Sequence, residues 1–409
     1  MNNMKTIRII LAALLLVSAG ATAGNVKVRV SNAEKNQRQE LIELQINEVY
    51  KQLGISAGQP FVVRDAIGSQ QDYQITYDGK LIFEVTVCPG GTAEYTIAAG
   101  VPRKMHIWTQ GRFYPERMDD IAWENDRGAY RVYGPALQRS GEKAYGIDVW
   151  TKNQPDTVLD MRYRMNREGN AETMRLKKAG NREAANESRL ATSFHIDHGY
   201  GLDAYKVGPT LGCGTPALMV DGALVMPYCF STYKILDNGP LRFTVALTYN
   251  PAVVGKDRNV IEHRIISLDK NSNFNKMTVW YEGLTARHDL AAGVVIHEED
   301  TESVVVGDRF VQYADPTDDP RHQYQLYVGA LFPNGVSATK KLLYDKPADG
   351  AVGHAIGVVR NIGNNQKYSY YFGSAWSKAD VRSQAEWQLR IDEFLKALDA
   401  PLKVELTQP

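Results

Sequence analysis

The chain has 409 residues, 44% of them hydrophobic, which is enough for a large core and for more than one domain. Its 47 Lys and Arg balance 47 Asp and Glu, so the formal net charge is zero. No global field draws it to nucleic acid or to an anionic membrane, and an acidic ligand must be met by a local basic cluster.

Residues 1–23 read as a secretory signal peptide. Lys5 and Arg8 precede the apolar run "IILAALLLVSA", and the small residues "ATA" (Ala21 to Ala23) stand before Gly24. The run is too short to span a membrane, and no later stretch is long and apolar enough. No Cys follows the cleavage site. The expectation is an exported protein, periplasmic or secreted, with no membrane span. Cys88, Cys213 and Cys229 are too few for a disulfide framework. Three buried thiols is the preferred reading over a Cys213–Cys229 bridge, and the spacing fits no zinc motif.

From 24 to 102 the pattern is short strands and turns. "NVKVRVSN" alternates Val26, Val28 and Val30, "LIELQI" alternates Ile42, Leu44 and Ile46, and "YDGKLIFEVTV" sets an Asp-Gly turn before a strand. This predicts a small β-sandwich of immunoglobulin type. From 103 to 409 strands keep recurring between Gly, Asn and Asp turns, among them "YGIDVWTK", "LRFTVALTYN", "VIEHRIISLD" and "FNKMTVWYEG". The second domain is expected to be a long antiparallel unit of two large packed sheets. Two segments interrupt it. Met165 to Ala191 is polar, with weak helical periodicity, and predicts an exposed helical insertion or loop. "SKADVRSQAEWQLRIDEFLKALDAP" puts Trp387, Ile391, Phe394, Leu395 and Leu398 on one helical stripe, with Ser377 and Asp380 resembling a capping box, and a last strand "LKVEL" follows.

"WENDRGAYRVYG", Trp123 to Gly134, fits no ordinary strand. Read as one strand, it puts Trp123, Asn125, Arg127, Arg131 and Tyr133 on one face and Glu124, Asp126, Tyr130 and Val132 on the other. Both faces mix charge with aromatic rings, where a half-buried strand separates them. Trp123, Tyr130 and Tyr133 have flat faces that can stack on sugars. Arg127 and Arg131 offer forks for a carboxylate or sulfate, and Glu124 and Asp126 accept from hydroxyls. The bland alternative is a strand at a domain boundary with internal Arg–Asp pairs.

"FHIDHGYGLDAYKVGPTLGCG", Phe194 to Gly214, packs His195, Asp197, His198, Tyr200, Asp203, Tyr205 and Lys206 among glycines. In an extended segment His198 and Tyr200 share a face, as a base and an acid for proton abstraction would. His-x-Asp-His also leaves a divalent metal open, though no third ligand is spelled out. His263 and His297 each sit in or beside a strand and read first as structural. His297, with Glu298 and Glu299 next to it, is the better site candidate. "SYYFGSAW", Ser369 to Trp376, is either a sugar wall or sheet core. There is no Walker loop, Rossmann fingerprint, nucleophile elbow or zinc-protease helix, and paired carboxylates for glycoside hydrolysis stay open.

The stretches "YDGKLIF", "DDIAWENDRGAYRVYGPAL", "HGYGLDAYKVGPTLGCGTPAL", "EHRIISLDKNSNFNKMTV" and "YYFGSAWSK" run in consistent order through most of the chain. Together they resemble DUF4861, a secreted bacterial family common in Bacteroidetes gene clusters for polysaccharide use. The resemblance implies an all-β fold, a galactose-mutarotase-like β-supersandwich behind the small N-terminal domain, with the amphipathic helix near the C-terminus. One family member, from a green-algal ulvan pathway, resembles an oligosaccharide dehydratase that leaves a 4,5-unsaturated uronate. Carried over, that chemistry needs a cation for the uronate carboxylate (Arg127, Arg131), a base and an acid (His198 and Tyr200, with His195 as substitute) and stacking rings (Trp123, Tyr130). Asn125, Asp126, Glu124, Tyr205, Lys206, His297 and Trp376 would complete the substrate site, with no cofactor required. The partner implied is a uronate-containing oligosaccharide. The alternatives are a hydrolase, a mutarotase-like epimerase using His297 and Glu298, or a sugar-binding protein without catalysis.

Overall fold

The computed structural model describes residues 24–297, 301–316 and 324–407. The expected signal peptide and the residues Glu298 and Glu299 lie outside the described residues. Among those described, no helix is long and apolar enough to cross a membrane.

The described residues are mainly β, in five sheets. Two small sheets form the N-terminal unit. One contains Asn25–Ser31, Thr92–Ala99, Phe61–Asp65 and Gln70–Gln71, and the other Arg38–Gln45, Lys80–Val87 and Tyr73–Ile75. The alternation read in the sequence holds, for Val26, Val28 and Val30 are fully buried. A short helix, Ile46–Leu53, adds Val49 and Leu53 to this core and ends on Gly54 at φ 67°, a left-handed position that glycine takes without steric cost. The last strand, Lys403–Thr407, returns to this unit and pairs with the first, Val28 opposite Leu406.

The larger unit packs a nine-stranded antiparallel sheet on a five-stranded one. Their facing residues, including Met277, Leu290, Val294, Val328, Phe332, Tyr370 and Phe372, make one continuous core. A third sheet of four strands, Gln110–Tyr114, Asp120–Glu124, Gly128–Val132 and Asp148–Thr151, lays Ile121, Trp123, Tyr130, Val132 and Val149 against the same core. Its other face is covered by helix Leu159–Lys178, which pairs with helix Arg182–Thr192 in a hairpin. The segment expected to be a helical insertion is therefore the lid of a sheet.

The C-terminal helix, Gln384–Asp399, buries Trp387, Ile391 and Leu395 against Phe274, Tyr327 and Leu331, while Leu398 stays exposed. Its cap is Ser383, whose Oγ accepts from Glu386 N at 3.2 Å, and not the Ser377–Asp380 pair. All three cysteines are free, and Cys88 is exposed where three buried thiols were expected.

Candidate functional site

The segment Trp123 to Gly134 is a hairpin, with Ala129 opposite Glu124. Its turn is built by Asn125. The Oδ1 atom accepts from Arg127 N (2.9 Å) and Gly128 N (3.0 Å), and Nδ2 donates to Asp269 O (2.6 Å) and Ser272 O (2.7 Å). Asp126 accepts from Asn271 N at 2.7 Å. Asn125 and Asp126 thus dock one turn on another, which corrects their expected role on substrate. The turn also resets the alternation, so Trp123 and Tyr130 share the inner face. Trp123 is 0% exposed, stacks on Phe243 at 6.0 Å and donates Nε1–H to Asn275 Oδ1 at 2.8 Å. The Tyr130 hydroxyl donates to Asn273 O at 3.1 Å, and the ring is buried. Neither ring can stack on a sugar. They are core aromatics whose polar atoms are satisfied.

The outer face of the same hairpin carries the charges. Glu124 and Lys152 form a fully buried pair at 2.8 Å, and the carboxylate also accepts from Val158 N (2.8 Å) and Leu159 N (2.9 Å) where the covering helix begins. Glu124 therefore anchors the helix and is not open to a sugar hydroxyl. Arg131 contacts Asp148, lies 3.0 Å from Asp203 Oδ2 and 3.7 Å from Asp120, and donates to the Tyr133 hydroxyl at 3.1 Å. Arg131 is 4% exposed and enclosed by three carboxylates, so it does not reach a substrate carboxylate, contrary to its expected role. The helix adds Tyr163, whose hydroxyl is 3.5 Å from Asp120 Oδ2, and Arg162, stacked over Trp150 at 4.4 Å.

Arg131 sits among three carboxyl groups, all almost inaccessible to water, with Arg117 also pulling on Asp120 and Arg162 on Asp203. Burial lifts Asp120 to about 6 and Asp148 to about 7, with repulsion from Asp203 adding to both against the pull of Arg131. The centre therefore holds a proton into the neutral range. Several buried atoms here have no hydrogen-bond partner among the described residues: Asp120 Oδ1, Arg131 Nε and Nη1, and Arg162 Nη2. Native proteins keep few such groups outside functional places.

The loop after the helical hairpin forms the mouth. It packs closely, since a Cβ on Gly201 (φ 91°) would lie 2.0 Å from Thr151 O. Phe194 packs on Trp150 at 4.8 Å, and His195 follows with its ring 63% exposed. Nδ1 of His195 sits 2.8 Å from Asp203 O. A carbonyl only accepts, so Nδ1 carries the hydrogen and Nε2 is the basic nitrogen. Nε2 has no hydrogen-bond partner among the described residues. Arg117, half-buried in the turn Pro115–Arg117, lies 5.9 Å from the Phe194 ring and makes no ion pair among the described residues.

His198 and Tyr200 are not brought to this centre. His198 Nε2 meets Ser193 O at 3.1 Å, Tyr200 is half-buried, and Asp197 between Lys378 and the N–H groups of Gly199 and Gly201 ties the loop. Tyr205 is buried with its hydroxyl on Gly212 O at 3.0 Å. Lys206 is exposed, and its backbone carbonyl accepts from His297 Nε2 at 2.7 Å while His297 Nδ1 meets Asp315 Oδ2 at 2.6 Å. Both ring nitrogens thus face acceptors, and His297 is a charged clamp with no free base. Burial works against that charge, but the Asp315 carboxylate outweighs it and raises the imidazole above its usual value. Trp376 is buried against Leu202, Ala204 and Ala379, so it is core and no sugar wall. Arg127 lies elsewhere, on a cleft of about 900 Å³ between the N-terminal unit, the nine-stranded sheet and the C-terminal helix. This cavity does not contain the carboxyl centre. Among the described residues, no three His, Cys, Asp or Glu side chains are grouped to hold a metal ion.

Sequence reasoning missed Arg117, Asp120, Asp148, Lys152, Arg162 and Tyr163. A signal existed in "YGIDVWTK", where Asp148, Trp150 and Lys152 alternate onto one face of a strand otherwise apolar.

A family model described as Domain of unknown function (DUF4861) matches residues 30–404. Uncharacterized protein P7 of Formosa agariphila is 27% identical over 362 residues, covering 84% of this chain and 83% of that protein. Among solved structures, an α-mannosidase from Enterococcus faecalis aligns with 94% of this chain at 9% identity and a TM-score of 0.46. This chain spans about half the length of that one, 46%. The galactosidase domain of an alpha-galactosidase-sucrose kinase aligns with 66% of this chain and 42% of its own, at 9% identity and a TM-score of 0.29. The chain belongs to the DUF4861 family.

Proposed function

We propose that this DUF4861 protein is an exported carbohydrate-active enzyme that eliminates water beside the carboxylate of a uronic acid in an oligosaccharide, leaving a 4,5-unsaturated uronate. The observation that carries this reading is the mouth of the centre. An arginine without an ion pair and an imidazole with a free Nε2 flank the Phe194 ring, above carboxyl groups that stay partly protonated near neutral pH. Elimination asks for these parts: a cation for the enolate-like charge, a base for the C5 proton and a proton for the leaving oxygen.

In this scheme Arg117 holds the carboxylate. His195 Nε2 takes the C5 proton, the C–H electron pair becomes the C4–C5 double bond, and the C4–O bond breaks. Tyr133 gives its phenol proton to the departing oxygen, which leaves as water. The phenolate, steadied by the Arg131 donor at 3.1 Å, regains a proton from solvent while the His195 imidazolium loses one to it before the next turnover. The resemblance to a family member with dehydratase-like character supports the same reading. Two alternatives lose support from particular residues. Asp120 and Asp148 are 0% exposed and cannot reach a glycosidic oxygen as a hydrolase pair would. His297, held at both nitrogens, cannot be the base of an epimerase.

The test is ultraviolet absorbance of the mature protein with a panel of uronate-ended oligosaccharides, because the conjugated enoate absorbs where its parent does not. Rising absorbance with products of unchanged chain length is expected, and shortened products would mean a lyase. A flat trace across the panel would overturn the reading.

A further inference from the structure

The cleft of about 900 Å³ lies on the far side of the nine-stranded sheet from the core. Its floor is the outward face of that sheet. Phe243, Val245, Met277, Tyr370 and Phe372 point into the core, so their strand neighbours Thr244, Lys276, Thr278 and Tyr371 point out into the cleft. The N-terminal unit forms one wall and the C-terminal helix another. A cavity of this size suits a ligand of a few sugar rings.

Most charges in the cleft are cancelled in place. Arg242 bonds Asp269 Oδ2 and Glu43 Oε1, each at 2.8 Å, and Arg38 pairs with Glu40 at 2.8 Å. Lys270 contacts Glu84, and Lys396 contacts Glu34. Three cations remain under-neutralised. Lys276 is exposed and makes no ion pair among the described residues. Arg127 and Arg390 share a single carboxylate, Asp380, which Arg127 contacts and Arg390 reaches only at 3.7 Å. Burial and the neighbouring Arg127 pull the Arg390 guanidinium below its usual value, against the opposite pull of Asp380, Glu393 and Glu386. Tyr371, paired across the sheet with Lys276 and half-buried beside Phe394 at 5.0 Å, supplies a ring beside these cations.

We infer that this cleft is a second glycan site, separate from the elimination centre, for an oligosaccharide bearing acidic groups, which Lys276 and the Arg127–Arg390 pair receive while Tyr371 stacks on a sugar ring. Such a site would hold the polymer while the chemistry acts at another end. It stands on the cleft's own geometry and does not depend on the reaction proposed for His195 and Arg117.

The experiment is calorimetric titration of the full mature chain, carrying His195→Ala to stop turnover, with tetragalacturonate, a sulfated galactan tetrasaccharide and cellotetraose. Either acidic chain is expected to bind at least roughly tenfold tighter than the neutral one, the size of a lost charge-assisted contact. Binding of the acidic chains should persist in Arg117→Ala, the variant that weakens the elimination centre, and in that background Lys276→Gln and Arg390→Gln should each cost roughly tenfold in the affinity that remains. Arg390 also bonds Asn273 Oδ1 at 3.3 Å, so its loss could disturb the helix, whereas exposed Lys276 tests the site without that risk. Acidic chains binding no better than cellotetraose, or full affinity in Lys276→Gln, would overturn the inference. So would loss of binding in Arg117→Ala with Lys276→Gln unaffected, because the ligand would then sit at the elimination centre.

Discussion

Replacing Lys152 with Met should destabilise the sheet that carries the centre far more than an ordinary surface charge would. The Lys152 Nζ is fully buried and spends its three hydrogens on Glu124 Oε2 (2.8 Å), Asn125 O (2.6 Å) and Asp156 O (2.8 Å). Met keeps the volume of the stem but leaves a buried carboxylate without its cation and two carbonyls without donors. Glu124 retains the N–H groups of Val158 and Leu159 and the Gln110 amide at 2.9 Å, which are neutral and cannot cancel its charge. Breaking one side of a buried pair costs about 3–5 kcal/mol. The double variant Glu124→Gln/Lys152→Met removes both charges, and its amide oxygen can still accept from the helix N-terminus. It should recover about half of the loss or more, because neutral groups carry a smaller desolvation penalty. The assay is urea unfolding followed by tryptophan fluorescence, with Trp123 and Trp150 in the same sheet as reporters. Urea leaves ion pairs unscreened. A loss below about 1 kcal/mol in Lys152→Met, the range of exposed pairs, would refute the reasoning. A double variant less stable than the single one would refute it as well.

Three further outcomes follow from the same structure. His195→Ala should lower kcat in the absorbance assay by roughly 10²–10⁴-fold, the usual worth of a general base, while Arg117→Ala should chiefly raise KM; full activity in His195→Ala would remove the base. Trp123→Ala should cost about 3–5 kcal/mol as a core cavity and leave affinity for acidic tetrasaccharides unchanged in calorimetry, whereas a selective loss of affinity would restore it as a platform. The raised imidazole of His297 means that the folded state binds its proton more tightly than the unfolded chain. That stabilisation is complete below the unfolded value of about 6.5 and is lost as pH rises through the folded one. Asp315→Asn should flatten the fall in urea-unfolding stability across that window, and an unchanged slope would count against the clamp.

Why the hairpin misled a sequence reading can be stated physically. Strand parity decides faces only while the strand is unbroken. Asn125 bonds its own turn, the chain reverses, and Trp123 and Tyr130, an odd seven positions apart, come to the same side. Where strands ran unbroken, as at Val26, Val28 and Val30, parity gave the correct face. The loop from Phe194 stands out in the sequence by its density of His, Asp and Gly. Which of its imidazoles keeps a nitrogen free was not legible, since it depends on whether a ring nitrogen meets Ser193 O or Asp203 O. The partners of the charged strip were out of local reach too: Lys152 is 28 positions from Glu124, and Asp203 is 72 from Arg131. A strip mixing charge and aromatics on both faces was itself the informative pattern. A strand so built is buried on both sides, here by the sandwich core and by the helical hairpin. Every charge on such a strand must find a partner inside the protein, because an unpaired buried ion is too costly to keep. Glu124 finds Lys152 and is spent on structure. Asp120, Asp148 and Asp203 crowd around Arg131, with Arg117 and Arg162 farther off, and burial raises Asp120 and Asp148 there, while Asp203 links the cluster to the exposed His195 at 3.8 Å.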